Sequence, residues 1–554
     1  MSVVAWTLVA CLFSAPLNTG EQNVVWAQTM PPATTIEPLK AEVRARVEDL
    51  RGGGEAALAD LLDTFYDGRE YRHAWAHAPA LTAARELLVR IAASHEDGLC
   101  PMRYEVPWLR NRLAVADPFS PGNGAVLEVD LSIGLLRYAL HMALGHPAAE
   151  DRASSARATD VLGAFDKMRA PTTLRAALRS LEPQHREYRG LRTALADLRA
   201  VVLRGGWPSV DSQLRLEPGD TADAETLQIL AERLRSSGDL DDEWPSAADD
   251  DLYDGVIVEA VRHFQRRHGL VRDGIVGPRT VAALNVPASA RLEQVEINMD
   301  RWRRVPDNLG STHVRVNIPE FRLRVFQDGE SRLQMRTIVG APDTQTPIFS
   351  DRIRYLVFNP YWNVPDSIVR NEIAATGAED PARLEEEGFE VLSGWDDDAE
   401  AIDPRAVDWE ADRIGYRVRQ RPGPDNALGR VKFMFPNRYS VYLHDTPARS
   451  RFEDPRRALS HGCVRVADPN ALAEVLLSTT EAWPAERIVQ AMNGRERKAV
   501  RLDTPVPVHL LYFTVWVDGE GVIHFRDDVY GRDRGARAWL GCAAAVNAVS
   551  AGRS

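Results

Sequence analysis

The chain has 554 residues, which at about 150 residues per domain suggests three or four domains, so one small module cannot account for it. Hydrophobic residues make up 44%, charged residues 27% and aromatics 7%, ordinary globular usage that excludes a disordered, collagen-like or coiled-coil chain. With 67 Lys and Arg against 80 Asp and Glu the formal net charge is −13, so no general basic field exists to hold nucleic acid or anionic lipid.

Residues 1–27 open with the apolar run VVAWTLVACLF and end in Val25-Trp26-Ala27, which reads as an export signal cleaved before Gln28. No Lys or Arg precedes the run, which leaves a short buried helix as the alternative. Leu8-Val9-Ala10-Cys11 reads as a lipid-attachment box only if a shorter apolar run suffices, so lipidation of Cys11 stays open. No later stretch reaches the ~18 to 20 apolar residues that span a bilayer. The cysteines are Cys11, Cys100, Cys463 and Cys542, without a CxxC pair or a Cys/His cluster at zinc-ligand spacing, which disfavours structural zinc. After cleavage three remain, so at least one thiol is unpaired within the chain, and whether Cys100 and Cys542 pair is open.

Residues 28–38, rich in Pro and Thr, read as a linker. From 39 to 204 the period is helical: Leu58, Leu61, Leu62 and Phe65 repeat at i, i+3, i+4, i+7, as do Ala84, Leu87, Leu88 and Ile91. The histidines His73, His77, His95, His141 and His146 of this half suit packing or surface positions better than ligation. Residues 205–287 read as a three-helix module: Pro218-Gly219-Asp220 opens a helix through ETLQILAERL, Ile257, Val261 and Phe264 mark a second, and Pro278 starts a third. The acidic loop between Asp239 and Asp254 reads as a solvated turn. Residues 288–310 form a connecting helix.

Beyond residue 311 the period becomes two. Val314, Val316 and Ile318 alternate with polar neighbours, and further strands fit MRTIVG, RYLVFNP and SVYLHD. Asp468-Pro469 fits an N-cap and first turn ahead of ALAEVLL. Residues 311–495 thus read as a β-rich domain interrupted by an insertion at 366–428, and residues 496–540 as closing strands with a hairpin across Asp518-Gly519-Glu520-Gly521. The fold class is α+β and multi-domain.

The chemistry concentrates in YLHDTPARSRFEDPRRALSHGCVRV. Cysteine is the strongest neutral-pH nucleophile among side chains, but it attacks as thiolate, and an imidazole accepts the proton. His444 and Cys463 supply both halves. Tyr442 shares a strand face with His444, and Gly462 permits a tight turn whose amides can face an oxyanion. Taken singly, a buried Cys or a core His is the commoner fate of each type.

Jointly, His444, fifteen intervening residues and Ser460-His461-Gly462-Cys463 resemble the signature of L,D-transpeptidases, with Arg465 fitting as well. VNIPEFRLRVF, the QTP element, VFNPYWNVP and GRVKFMFPNRYSVYLHDTP resemble the large Gram-negative members, and AVRHFQRRHGLVRDGIVGPRTVAALN resembles the peptidoglycan-binding domain of cell-wall enzymes. The resemblance implies a β-rich catalytic domain, a three-helix peptidoglycan-binding domain and a mainly helical scaffold. It implies Cys463 as nucleophile, His444 as proton acceptor, Ser460 and His461 as loop supports, and the backbone at Gly462-Cys463 as oxyanion hole. Tyr442, Trp362 and Arg465 would meet substrate. The role of Asp445, where smaller members have Gly, stays open.

The implied reaction is attack on the third residue of a tetrapeptide stem, release of D-Ala, and resolution of the thioester by an amine of another stem into a 3→3 cross-link. It needs no cofactor and no metal. The partners would be peptidoglycan stems and glycan strands, carbapenems would acylate the same thiol, and the compartment would be the periplasm; the acceptor and the oligomeric state are not legible. A carboxypeptidase or hydrolase using the same acyl-enzyme, or an inert wall-binding scaffold, are the rival readings. The insertion carries fourteen Asp and Glu against Arg383 and Arg405 between residues 379 and 412. It reads either as a solvated excursion or, with Phe389, Trp395 and Trp409, as a cap over the cleft.

Overall fold

The alternating apolar run at Val314, Val316 and Ile318 becomes the first strand of a large sheet in the computed structural model, with all three side chains fully buried. The structure describes residues 36–540 apart from 116–117, 121–122, 146–153, 242–250, 397, 412–413, 479 and 481. The expected export signal, Cys11, His146 and Cys542 lie outside the described residues.

The strands, in chain order, are β1 (Thr312–Asn317), β2 (Arg322–Gln327), β3 (Glu330–Gly340), β4 (Phe349–Phe358), β5 (Trp362–Asn363), β6 (Phe389–Leu392), β7 (Ala401–Ile402), β8 (Arg417–Gln420), β9 (Val431–Met434), β10 (Leu443–His444), β11 (Ala458–Ser460), β12 (Val464–Val466), β13 (Lys498–Leu511), β14 (Val515–Val517) and β15 (Ile523–Phe525). Nine of them form one sheet in the order β11-β3-β12-β10-β9-β4-β13-β1-β2, and an extra β2–β3 pairing closes the ring. Closure removes exposed edges. The interior is one apolar cluster that includes Phe358, Phe433, Leu443, Val464 and Leu472. The helix Pro469–Leu477 packs on it, capped by Asp468, whose carboxylate accepts from the Ala471 N–H.

The insertion folds as a unit. Its strands form a separate sheet, β5-β8-β6-β7, over a core that includes Ile368, Leu384, Val391 and Val418. Phe389 and Trp409 are buried in this unit, whereas Trp395 is exposed, because its ring lies over the Arg417 guanidinium instead, 4.8 Å from the centroid.

Helices from Ile36 to Leu203 build the N-terminal body around a core with Trp75, Tyr66 and Phe165. The first begins at Ile36, inside the stretch read as linker, since Pro38 falls in the first turn, where a missing N–H costs nothing. The helices Arg186–Leu203 and Ala288–Trp302 pack together and, with β14 and β15, form an apolar seam containing Tyr188, Trp302 and Phe513. The C-terminal hairpin therefore ties the helical body to the closed sheet.

The small module has helices Ala224–Ser236, Gly255–Arg267 and Pro278–Leu284. Its first helix starts later than the sequence suggests, because the Asp223 carboxylate accepts from the Thr226 N–H at 2.8 Å, while Pro218-Gly219-Asp220 forms the preceding turn. Asp239, expected in a solvated loop, is instead buried. It pairs with the buried Arg267 and with His263 Nδ1 at 2.8 Å, and Ser237 donates to it. Although burial disfavours the carboxylate, Arg267 and these donors hold its pKa below the ordinary range. A depressed carboxyl pKa contributes stability above the ordinary carboxylate pKa and loses it as pH falls through the folded value. Asp239→Asn strands a buried guanidinium, so we expect the module to lose about 3–5 kcal/mol, read as an earlier urea transition at pH 7 that converges with wild type in acid.

Candidate active site

The two-residue strand β10 runs antiparallel to β9 and parallel to β12, and these pairings set the site. His444 lies opposite Lys432 on β9 and opposite Arg465 on β12. Directly opposed residues project to one side of a sheet, so base and two cations share a row. Tyr442, two residues before His444, meets its ring edge-on with centroids 5.7 Å apart. Cys463 immediately precedes β12 and is half-buried.

His444 is fully enclosed, and its Nδ1–H donates to the Asp445 carbonyl at 2.5 Å. That bond fixes the tautomer and leaves Nε2 as acceptor. Asp445 shapes the turn beneath it: one carboxylate oxygen accepts from the Arg430 N–H at 2.9 Å and the other lies 3.0 Å from the Arg449 guanidinium. Gly429 has φ 58°, and a Cβ there would lie 2.4 Å from Asp445 Cγ, so only glycine lets the two turns close.

The loop of Cys463 is tied from both sides. Ser460 Oγ donates to the Cys463 carbonyl at 2.6 Å and accepts from the Gly462 N–H at 3.2 Å. Gly462 has φ 110°, in the left-handed region that disfavours any side chain. With the Gly462 amide occupied by Ser460, the Cys463 N–H is the amide left to meet an oxyanion. Thr346 Oγ1 donates to the Gly462 carbonyl and Thr344 Oγ1 to the Ser460 carbonyl, each at 2.8 Å. Tyr530, from beyond the hairpin, donates to the Gly340 carbonyl at 2.6 Å and accepts from the Thr346 N–H at 3.2 Å.

His461 meets the insertion. Its Nε2 lies 2.7 Å from the Glu372 carboxylate of the insertion, on a π-helical turn at Val369–Ile373. Trp362 sits on β5 of the insertion sheet, with its ring 6.2 Å from that of Phe389. The geometry thus brings Cys463, His444, Tyr442, Arg465, Gly462 and Ser460 together, turns His461 to the insertion and keeps Trp362 in the insertion's own core. Sequence reading gave no role to Lys432, Glu372, Thr344, Thr346 or Tyr530. The first and the two threonines lie in or beside GRVKF and QTP, segments noted only for their resemblance.

Burial lowers the His444 pKa to about 3, and Arg465 and Lys432 push it the same way, against the raising effect of the Asp445 bond. Burial raises the Cys463 pKa, opposed by hydrogen bonds from Tyr442 and by Lys432 and Arg465. At neutral pH the resting pair is therefore thiol and neutral imidazole. A raised thiol pKa means reactivity that grows with pH. We expect alkylation of Cys463 by iodoacetamide to climb steadily between pH 6 and 9, and mass spectrometry of quenched time points would detect instead the flat profile of a preformed ion pair.

Several stretches of the chain are similar to known proteins. Residues 311–508 match the family described as "L,D-transpeptidase catalytic domain", residues 60–195 the "Scaffold domain" and residues 223–284 the "Putative peptidoglycan binding domain". A Haemophilus influenzae protein named "Putative L,D-transpeptidase" is 34% identical over 244 residues, which is 44% of this chain and 48% of that protein. The match thus spans about half the relative's length. Among solved structures, the L,D-transpeptidase from Stackebrandtia nassauensis is 14% identical, covering 55% of this chain and 96% of that one with a TM-score of 0.21. The L,D-transpeptidase from Mycobacterium smegmatis is 14% identical, covering 36% and 58% with a TM-score of 0.18. Three stretches of the chain are thus similar, in order, to a scaffold domain, a peptidoglycan-binding domain and an L,D-transpeptidase catalytic domain.

Proposed function

We propose that the chain is a cysteine-dependent L,D-transpeptidase that forms 3→3 cross-links between peptidoglycan stem peptides. Cys463 Sγ attacks the carbonyl of the third residue of a tetrapeptide, the S–C bond forms and the C–N bond to D-Ala breaks. The thiol proton passes to His444 Nε2 and then to the departing amine. A side-chain amine of a second stem then attacks the thioester and returns the thiol. The observation that carries this reading is the buried His444, its Nδ1 spent on the Asp445 carbonyl, sharing Tyr442 as a neighbour with a thiol on the turn fixed by Ser460, Thr344 and Thr346. Splitting the transfer at a thioester lets side chains alone do the work.

The peptidoglycan-binding domain supports the wall as partner, the same thiol would accept a carbapenem, and the N-terminal apolar segment supports action in the periplasm. Among the described residues no helix is long and apolar enough to cross a membrane. Hydrolysis of the same acyl-enzyme is the rival outcome. The insertion favours transfer, since a folded unit reaching the motif histidine can exclude water while the thioester waits.

Mass spectrometry of the protein with a disaccharide-tetrapeptide tests the reading, because it reports acylation with loss of D-Ala and the final product together. Cys463→Ala should give no adduct with either the peptide or a carbapenem, and an adduct would overturn the assignment. His444→Ala should acylate about 10²–10⁴-fold more slowly near neutral pH, with partial recovery in base where the thiol ionises unaided.

The insertion's contact is testable separately. Both partners of the Glu372–His461 pair are about half exposed, and such pairs are worth ~0.2–1 kcal/mol. Glu372→Gln should leave acylation intact and lower the ratio of cross-linked to hydrolysed product by no more than about fivefold. An unchanged ratio would assign the contact no part in acceptor choice.

A further inference from the structure

Lys432 stands directly opposite His444, in the row that Arg465 completes from the other side. Its ammonium lies 5.3 Å from the centroid of the Tyr442 ring, so the amine is drawn in over the aromatic wall beside the nucleophile. Burial lowers its pKa, Arg497 adds to that effect, and negative charge on Cys463 opposes it. Arg465 is half-buried, and its Nε is a buried donor without a hydrogen-bond partner.

The carboxylates around this row are committed elsewhere. Glu372 pairs with His461, and Asp445 is held by Arg449 and the Arg430 N–H. Among the described residues no ion pair joins Lys432 or Arg465 to an acid. The Glu372 carboxylate acts on Arg465 only from beyond contact, and partly desolvated cations with no acid in contact are costly unless an anion arrives.

We propose that Lys432, together with Arg465, forms a carboxylate subsite beside Cys463 that takes the C-terminal carboxylate of the residue expelled from the acyl donor. The inference rests on the peptide-acyl-donor reading above. In a peptide ending in that residue, three bonds totalling about 4.3 Å separate the attacked carbonyl carbon from the terminal carboxyl carbon. A cation pair flanking the base therefore lies within reach of the carboxylate while sulfur bonds to the carbonyl. An internal peptide bond offers no such anion, so the subsite restricts the site to the last bond of a chain. Once the C–N bond breaks, the carboxylate departs with its new amine and vacates the cations' side of the cleft.

The test uses the full chain, wild type and with Lys432→Met or Lys432→Arg, and two pairs of probes. The first is a tetrapeptide donor as free acid and as C-terminal amide, with acylation followed by mass spectrometry. Wild type should acylate with the acid about tenfold or more faster than with the amide. Lys432→Met should bring the two rates within about threefold and Lys432→Arg should restore most of the difference. The second pair is iodoacetate and iodoacetamide, whose rate ratio at Cys463 reads the local field without any peptide; the ratio should fall several-fold in Lys432→Met and recover in Lys432→Arg. Because Lys432→Met keeps the length of the stem and Lys432→Arg keeps the charge, a folding defect would appear in thermal unfolding of both, whereas loss of the subsite follows charge alone. Equal rates for acid and amide in wild type, or an acid preference retained in Lys432→Met, would overturn the proposal. If wild type accepts neither peptide while the iodoacetate preference still depends on Lys432, the peptide-donor reading fails and the anion subsite stands.

Discussion

Everything in the site depends on the pairing of β10, two residues long, between β9 and β12. So short a strand makes few ladder bonds of its own and takes its register from its neighbours. A slip of one residue would send His444 to the opposite face and bring Leu443 to the site. The fully buried Leu443 resists that slip, since exposing a leucine costs about 1.5–3 kcal/mol. The apolar core inside the ring thus positions His444.

Cys463 is placed by a different means. Gly462 sits at a backbone angle that L side chains rarely adopt, and the loop around it is held by hydroxyl groups rather than by a ladder. Thr344 and Thr346 hold the carbonyls of Ser460 and Gly462, Tyr530 holds the segment that carries Thr346, and Tyr512 accepts from the Tyr530 N–H at 2.8 Å. Tyr512 and Tyr530 belong to the C-terminal region that also packs into the helical body. The C-terminal region is therefore joined to the Cys463 loop by a chain of hydrogen bonds and to the helical body by apolar packing, support of the kind that keeps a side chain in one geometry.

Electrostatics in the site follow from burial. Enclosure removes the water that would stabilise an imidazolium or a thiolate, and two neighbouring cations oppose the first while favouring the second. The outcome is a neutral pair at rest, flanked by two fixed cations. The insertion meets this loop through Glu372, on a π-helical turn, a distortion frequent at functional sites.

What the sequence indicated by itself was the resemblance to the L,D-transpeptidase family and the candidate residues that carry it. Cysteine, histidine and glycine at a fixed spacing, a change of period from 3.6 to 2 near residue 311, and the Asp468 cap were local signals, and local signals survive in a linear chain. The acidic stretch from residue 379 to 412 was legible as an insertion, but its packing was not, because the burial of Phe389 and Trp409 and the exposure of Trp395 depend on which partners the folded unit supplies. Asp239 was misread for the same reason: its counter-charge, Arg267, comes from a helix that reaches it only on folding. Only the tertiary structure decided that Lys432 faces His444, that His461 turns to Glu372, and that Tyr530 supports the loop of Cys463. Such contacts join residues far apart in the chain, and their existence is fixed by strand register and by the closure of the sheet, neither of which is written in the spacing of any one segment.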